Sequence, residues 1–123
     1  MGRPRSFDED DVLRSAIRLF GHRGYDGLSV DALVSELGIS RASLYKIYGS
    51  KYGLLRASVT NILSRRSRDD RAKDLTLVAL LELAPTDESI RALCAQAIDN
   101  CFDADPAKIG THLARRAGLL LPE

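Results

Sequence analysis

The stretch SVDALVSELGISRASLYKIYGSK, residues 29–51, leaves this chain the fewest choices. Val30, Leu33, Val34 and Leu37 recur at helical spacing, so one face of a short helix is apolar. Gly38 then breaks the pattern where a chain leaves a helix through positive φ. Ile39 supplies a single apolar plug, and Ser40 is a good N-cap for a second helix. That helix turns Leu44, Ile47 and Tyr48 inward and carries Arg41, Ala42, Ser43, Tyr45 and Lys46 on its other faces. Gly49 ends it, and Ser50 caps a third helix that opens with Lys51. Two short helices joined by a glycine-containing turn make a helix-turn-helix.

The outward residues of the second helix fix its chemistry. An Arg, a Lys, a Ser, a Tyr and a small Ala can donate to phosphate oxygens or guanine edges, or touch a thymine methyl. No acid occurs between Ser40 and Lys51. The competing reading of the same pattern is a helical hairpin that only packs a small domain.

The run LFGHRGYDGLSVDALVSELGISRASLYKIYGSK also resembles the N-terminal domain of the tetracycline-repressor (TetR) family of transcriptional regulators. The matching positions are Leu19–Phe20, Gly24–Tyr25, Ser29, Gly38, Leu44–Tyr45, Tyr48 and Lys51. The resemblance covers roughly residues 6 to 66 and implies an operator-binding protein that works as a homodimer. Three positions depart from the family pattern. Val34 replaces the usual small residue before the turn glycine, and Ile47 replaces a polar or aromatic group that touches bases. Tyr52–Gly53 replaces an acidic pair, which weakens the start of the third helix on propensity alone.

Leu and Ala recur through the chain and β-branched runs are scarce, so an all-α fold is expected: a three-helix N-terminal domain, a long connector helix and a short C-terminal helical lobe. No run is apolar enough to cross a membrane. The first eleven residues are polar, so no cleavable signal is expected and a cytoplasmic setting follows. The net charge of +1 conceals an asymmetry. Residues 1–68 hold 12 Lys/Arg against 7 Asp/Glu, and residues 69–123 hold 6 against 10. A basic head on an acidic body suits a nucleic-acid partner such as double-stranded DNA, and an uneven surface charge without a role fits the same numbers.

Around the motif, residues 1–5 form a basic arm whose Arg3 and Arg5 suit a narrow minor groove. Ser6 with Glu9 reads as a capping box for a first helix with the stripe Val12, Leu13, Ala16, Ile17 and Phe20, closed by Gly24. The connector helix is expected over Ser50 to about Arg68, with Arg65, Arg66 and Arg68 on a solvated face. Residues 73–84 are apolar almost all round and should be buried on several sides. Thr86 is expected to cap the next helix, and Asp105–Pro106 to open the last, with Ile109, Leu113 and Ala117 inward. Cys94 and Cys101 lie about 10 Å apart along one helix, too far for a disulfide between them. Nothing reads as a catalytic motif, a metal site or a cofactor fingerprint.

The expectation is therefore a homodimeric regulator, most often a repressor, with a DNA-binding domain over 6–66 (motif 29–48) and a shortened dimerisation and regulatory region over 67–123. Arg41 and Lys46 are the candidates for reading bases and Ala42 for a thymine methyl. Ser29, Ser43, Tyr45 and Lys51 are assigned mainly to phosphates, with Ser40 and Tyr48 completing the surface. Dimerisation is assigned to residues 87–102 and 106–118, possibly helped by 73–84. The resemblance implies more chain after such a body than stands here, so a pocket for a small apolar effector would be small or absent. Two rivals remain at this point: a helical module that pairs with a full-length relative, and a compact sensor whose pocket lies between 51–68 and 73–102.

Overall fold

The computed structural model describes residues 8–119, and among them it is all helical. The elements are α1 (Glu9–Arg23), α2 (Val30–Leu37), α3 (Arg41–Tyr48), α4 (Lys51–Arg65), α5 (Asp70–Glu82), α6 (Glu88–Phe102) and α7 (Pro106–Arg116). No helix among the described residues is long and apolar enough to cross a membrane. Arg3, Arg5 and Ser6 lie outside the described residues.

Caps decide where each helix begins. α1 is capped by Asp8, whose carboxylate accepts from Asp10 N–H, so Glu9 is the first helical residue and not the third. That corrects the capping box centred on Ser6. α4 stops at Arg65, earlier than expected, because Arg66 turns into the left-handed region at φ 54°. Asp69 then accepts from Ala72 N–H and starts α5 at Asp70, three residues before the apolar run. Asp87, not Thr86, caps α6 by accepting from Ser89 and Ile90 N–H, because a carboxylate one residue closer to the helix reaches both donors. Asp105 and Pro106 open α7 as expected.

α5 is the axis of the packing. Leu75, Thr76, Leu77, Val78 and Ala79 are buried in succession, so α5 is covered on several sides by α1, α4 and α6. Gly21 lets α1 lie close on α5: a Cβ there would sit 3.0 Å from Asp74 Cβ and 3.2 Å from Leu75 N. One apolar cluster runs from Val12 and Phe20 in α1, through Leu33 and Leu44 of the motif, to Ile90 and Phe102 in α6. Cys94 and Cys101 are both buried in it as free thiols, and burial pushes both thiols above the usual range.

The face of α7 differs from the expectation. His112 is its buried residue, Leu113 is 42% exposed and Ala117 is exposed. His112 Nε2 lies 2.7 Å from Asp74 Oδ1 on α5, and Arg116 donates to the Gly21 carbonyl in α1. Ile109 packs on the core as expected, so this polar seam and one apolar contact seat the helix, while Leu113 faces outward.

Candidate nucleic-acid interface

The motif is built by local hydrogen bonds on an apolar footing. Ser29 Oγ accepts from Ala32 N–H at 3.0 Å and opens α2. Gly38 ends α2 in the left-handed conformation at φ 70°, ψ 29°, with its N–H on the Val34 carbonyl. Ile39 is buried beneath the turn, as the plug pattern implies. Ser40 Oγ accepts from Ser43 N–H at 3.0 Å and lies 3.0 Å from Ser43 Oγ, so both hydroxyls serve the cap in the free chain. Leu33 and Leu44 are fully buried and pin the two helices to the core.

With Leu44 inward, α3 exposes Arg41, Ala42, Tyr45 and Lys46, while Ser43, Ile47 and Tyr48 are half-buried. Tyr45 is 44% exposed, a large aromatic surface for a helix of eight residues. α3 carries no acid in its first turn. Arg41 is not a free cation, however, because its guanidinium is paired with the Asp31 carboxylate in the first turn of α2. Sequence spacing gave no sign of that pair, which joins two helices across the turn.

Lys51 also has occupied donors. Its Nζ donates to the carbonyls of Tyr25 and Leu28, both at 3.0 Å, and sits 4.2 Å from the Tyr25 ring centroid. A side chain expected to position a phosphate thus clamps the α1–α2 loop, with one N–H left over. Glu82 completes that clamp from the end of α5, accepting from the N–H groups of Tyr25 at 3.1 Å and Asp26 at 2.8 Å. The loop before the motif is therefore held from two distant helices. Burial raises the Tyr25 phenol above its ordinary value, and the neighbouring Asp26 carboxylate adds to the shift.

The Tyr52–Gly53 pair has a positive reason to exist. A Cβ at position 53 would lie 1.8 Å from the Tyr48 carbonyl oxygen, so only glycine lets the end of α3 turn so tightly into α4. Tyr52 donates its phenol to Asp87 Oδ2 at 2.5 Å and lies 3.2 Å from Ser89 Oγ, tying α4 to the start of α6. That hydrogen bond, helped by the Ile90 N–H, holds the Asp87 carboxyl down to about 2. Arg68, which is exposed, pairs with Asp103 at 2.9 Å, and Arg65 pairs with Asp10 at 3.0 Å. Among the described residues no group of three or more His, Cys, Asp or Glu could hold a metal ion.

Comparisons with known proteins bear on this arrangement. Residues 12–58 match the family model described as bacterial regulatory proteins, tetR family. The chain is 37% identical over 110 residues to the HTH-type transcriptional regulator YezE of Bacillus subtilis, covering 88% of this chain and 53% of that protein. It is 29% identical over 125 residues to the HTH-type transcriptional repressor ComR of Escherichia coli, covering 99% of this chain and 55% of that one. The chain thus spans about half the length of the curated relatives it matches. Among solved structures it resembles a cysteine mutant of CifR, a TetR family transcriptional regulator complexed with 26-bp double-strand operator DNA. That likeness has a TM-score of 0.56 at 26% identity and covers 98% of this chain and 78% of the other. Through residues 12–58, which include the helix-turn-helix, the chain carries the domain of the tetR family of bacterial regulatory proteins.

Proposed function

We propose that this chain represses transcription by binding a near-palindromic operator as a homodimer, each copy laying α3 in a major groove. The observation that carries the reading is the outer face of α3, where Arg41, Ala42, Tyr45 and Lys46 are exposed with no acid among them. Arg41 and Lys46 read base edges and Ala42 meets a thymine methyl. Ser29, Ser43 and Tyr45 hold phosphates, Lys51 adds its one remaining N–H, and Ser40 and Tyr48 border the surface. Arg3 and Arg5, on an arm over residues 1–5, enter the adjacent minor groove. Operator DNA bound to CifR and the repressor name of ComR favour the same reading.

In this reading, residues 6–66 recognise DNA and residues 67–123 pair two copies and regulate them in the cytoplasm. Control by a small apolar effector belongs to the reading as well. Leu55, Val59, Ile62, Leu75 and Ile90 fill the interior between α4, α5 and α6, so an effector enters there only by parting the helices. Its signature is a raised melting temperature together with release of DNA.

The test is selection of bound sequences from random duplexes, followed by titration of the winner. Arg41→Ala is expected to flatten preference at one base pair, with a loss of about 1–3 kcal/mol on the selected operator. Binding no tighter to any duplex than that of an acidic control protein in dilute salt would sink the reading.

A further inference from the structure

We propose that Asp31 is a specificity-determining residue that acts through Arg41: it aims the guanidinium at its base and weakens attachment to every wrong sequence. The inference rests on the reading of Arg41 as a base-contacting residue. Asp31 stands in the first turn of α2, one of the two helices of the motif, and its side chain is 83% exposed. Arg41 is the first residue of α3, and its side chain is 54% exposed. The carboxylate accepts from one terminal nitrogen of the guanidinium across the turn.

Folding does not account for the pair, because an ion pair so exposed adds little to stability. Presentation of the guanidinium does. An arginine at a helix N-terminus lies against the positive end of the helix dipole, and its long stem samples many rotamers. The Asp31 carboxylate compensates the first and restrains the second. The guanidinium has five N–H donors in a rigid fork, so one bond to Asp31 leaves enough for a bidentate contact with guanine O6 and N7. The carboxylate also stands on the surface that meets DNA. On a duplex that does not engage Arg41 it remains a negative charge facing phosphates, which lowers non-specific affinity. Asp31 therefore raises the ratio of specific to non-specific binding from both sides.

The full chain is first used to select an operator from random duplexes. That operator, its single base-pair variants and a scrambled duplex of equal length are then titrated with the parent, Arg41→Ala, Asp31→Asn and the double variant. Arg41→Ala should lose about tenfold or more in preference at one base-pair position. Asp31→Asn should lose about threefold or more at that same position while binding the scrambled duplex more tightly. The double variant should be no less selective than Arg41→Ala alone. Equal tightening on every duplex by Asp31→Asn would mean that Asp31 is a bare repulsive charge, and the inference would be overturned. A loss confined to a different base pair would make Asp31 a direct reader and overturn it too. Intact preferences in Arg41→Ala would remove the reading of Arg41 and the inference with it, an outcome separable because it needs no change at Asp31.

Discussion

The ammonium of Lys51 has three N–H bonds, and two of them end on the carbonyls of Tyr25 and Leu28. Charge-assisted bonds of this kind, half-buried and backed by the Tyr25 ring, make Lys51 a structural residue first. Lys51→Ala is expected to destabilise the chain by about 1–2 kcal/mol in denaturant titration. If phosphate contact were its main office, stability would hold and only the salt slope of DNA binding would fall, by about one unit. Gly53 is constrained more simply. Its missing Cβ would overlap the Tyr48 carbonyl oxygen, so Gly53→Ala must push α3 and α4 apart. A loss of about 2–3 kcal/mol in thermal or denaturant unfolding is expected. On helix propensity alone the same substitution should stabilise α4, so the sign of the change decides between the two accounts.

Helices and their joints were unevenly legible in the sequence. Ser29, Gly38, Ser40, Gly49 and Ser50 act within four residues of what they cap, and each marks the boundary that its side chain, or lack of one, implies. The boundaries at Ser6, Arg68, Lys73 and Thr86 were misplaced because Asp8, Asp69 and Asp87 offered a stronger acceptor nearby and Arg66 accepted positive φ without being glycine. No local pattern announces that Tyr52 reaches Asp87 thirty-five positions away. That joint has a pH signature. The Asp87 carboxyl falls from the ordinary 3.8 to about 2 in the folded chain, chiefly through the Tyr52 phenol. A depressed carboxyl contributes stability above its unfolded value and loses it as pH drops through the folded one. Asp87→Asn keeps an N-capping side chain but removes the charge. Its melting temperature should lie below the parent's at neutral pH, and the gap should close between 3.8 and about 2. A gap that persisted at the acid end would assign the loss to packing.

At the scale of the molecule, the all-helical class and the motif could be read from periodicity, whereas the docking of α7 could not. Its apolar letters suggested an inward Leu113, but His112 finds Asp74 and takes the inner face. Leu113 is thereby left outward on the region assigned to pairing. Leu113→Asp should leave the protomer folded, since the side chain is already 42% exposed. In the homodimer reading it should convert dimers to monomers in sedimentation and weaken operator binding. Unchanged dimers would move the interface elsewhere. Finally, the Glu82 carboxylate fastens the far end of α5 to the loop that precedes the motif, while the same apolar cluster runs beneath both. The reading helix has no swivel of its own, so it travels as the tip of a stiff arm. Over a lever the length of a fifteen-residue helix, a tilt of about 10° sweeps the tip about 4 Å, roughly the rise of one nucleotide step. In the homodimer reading, with two such arms bolted together, a small change of angle at the shoulder is enough to put both hands out of register with the duplex.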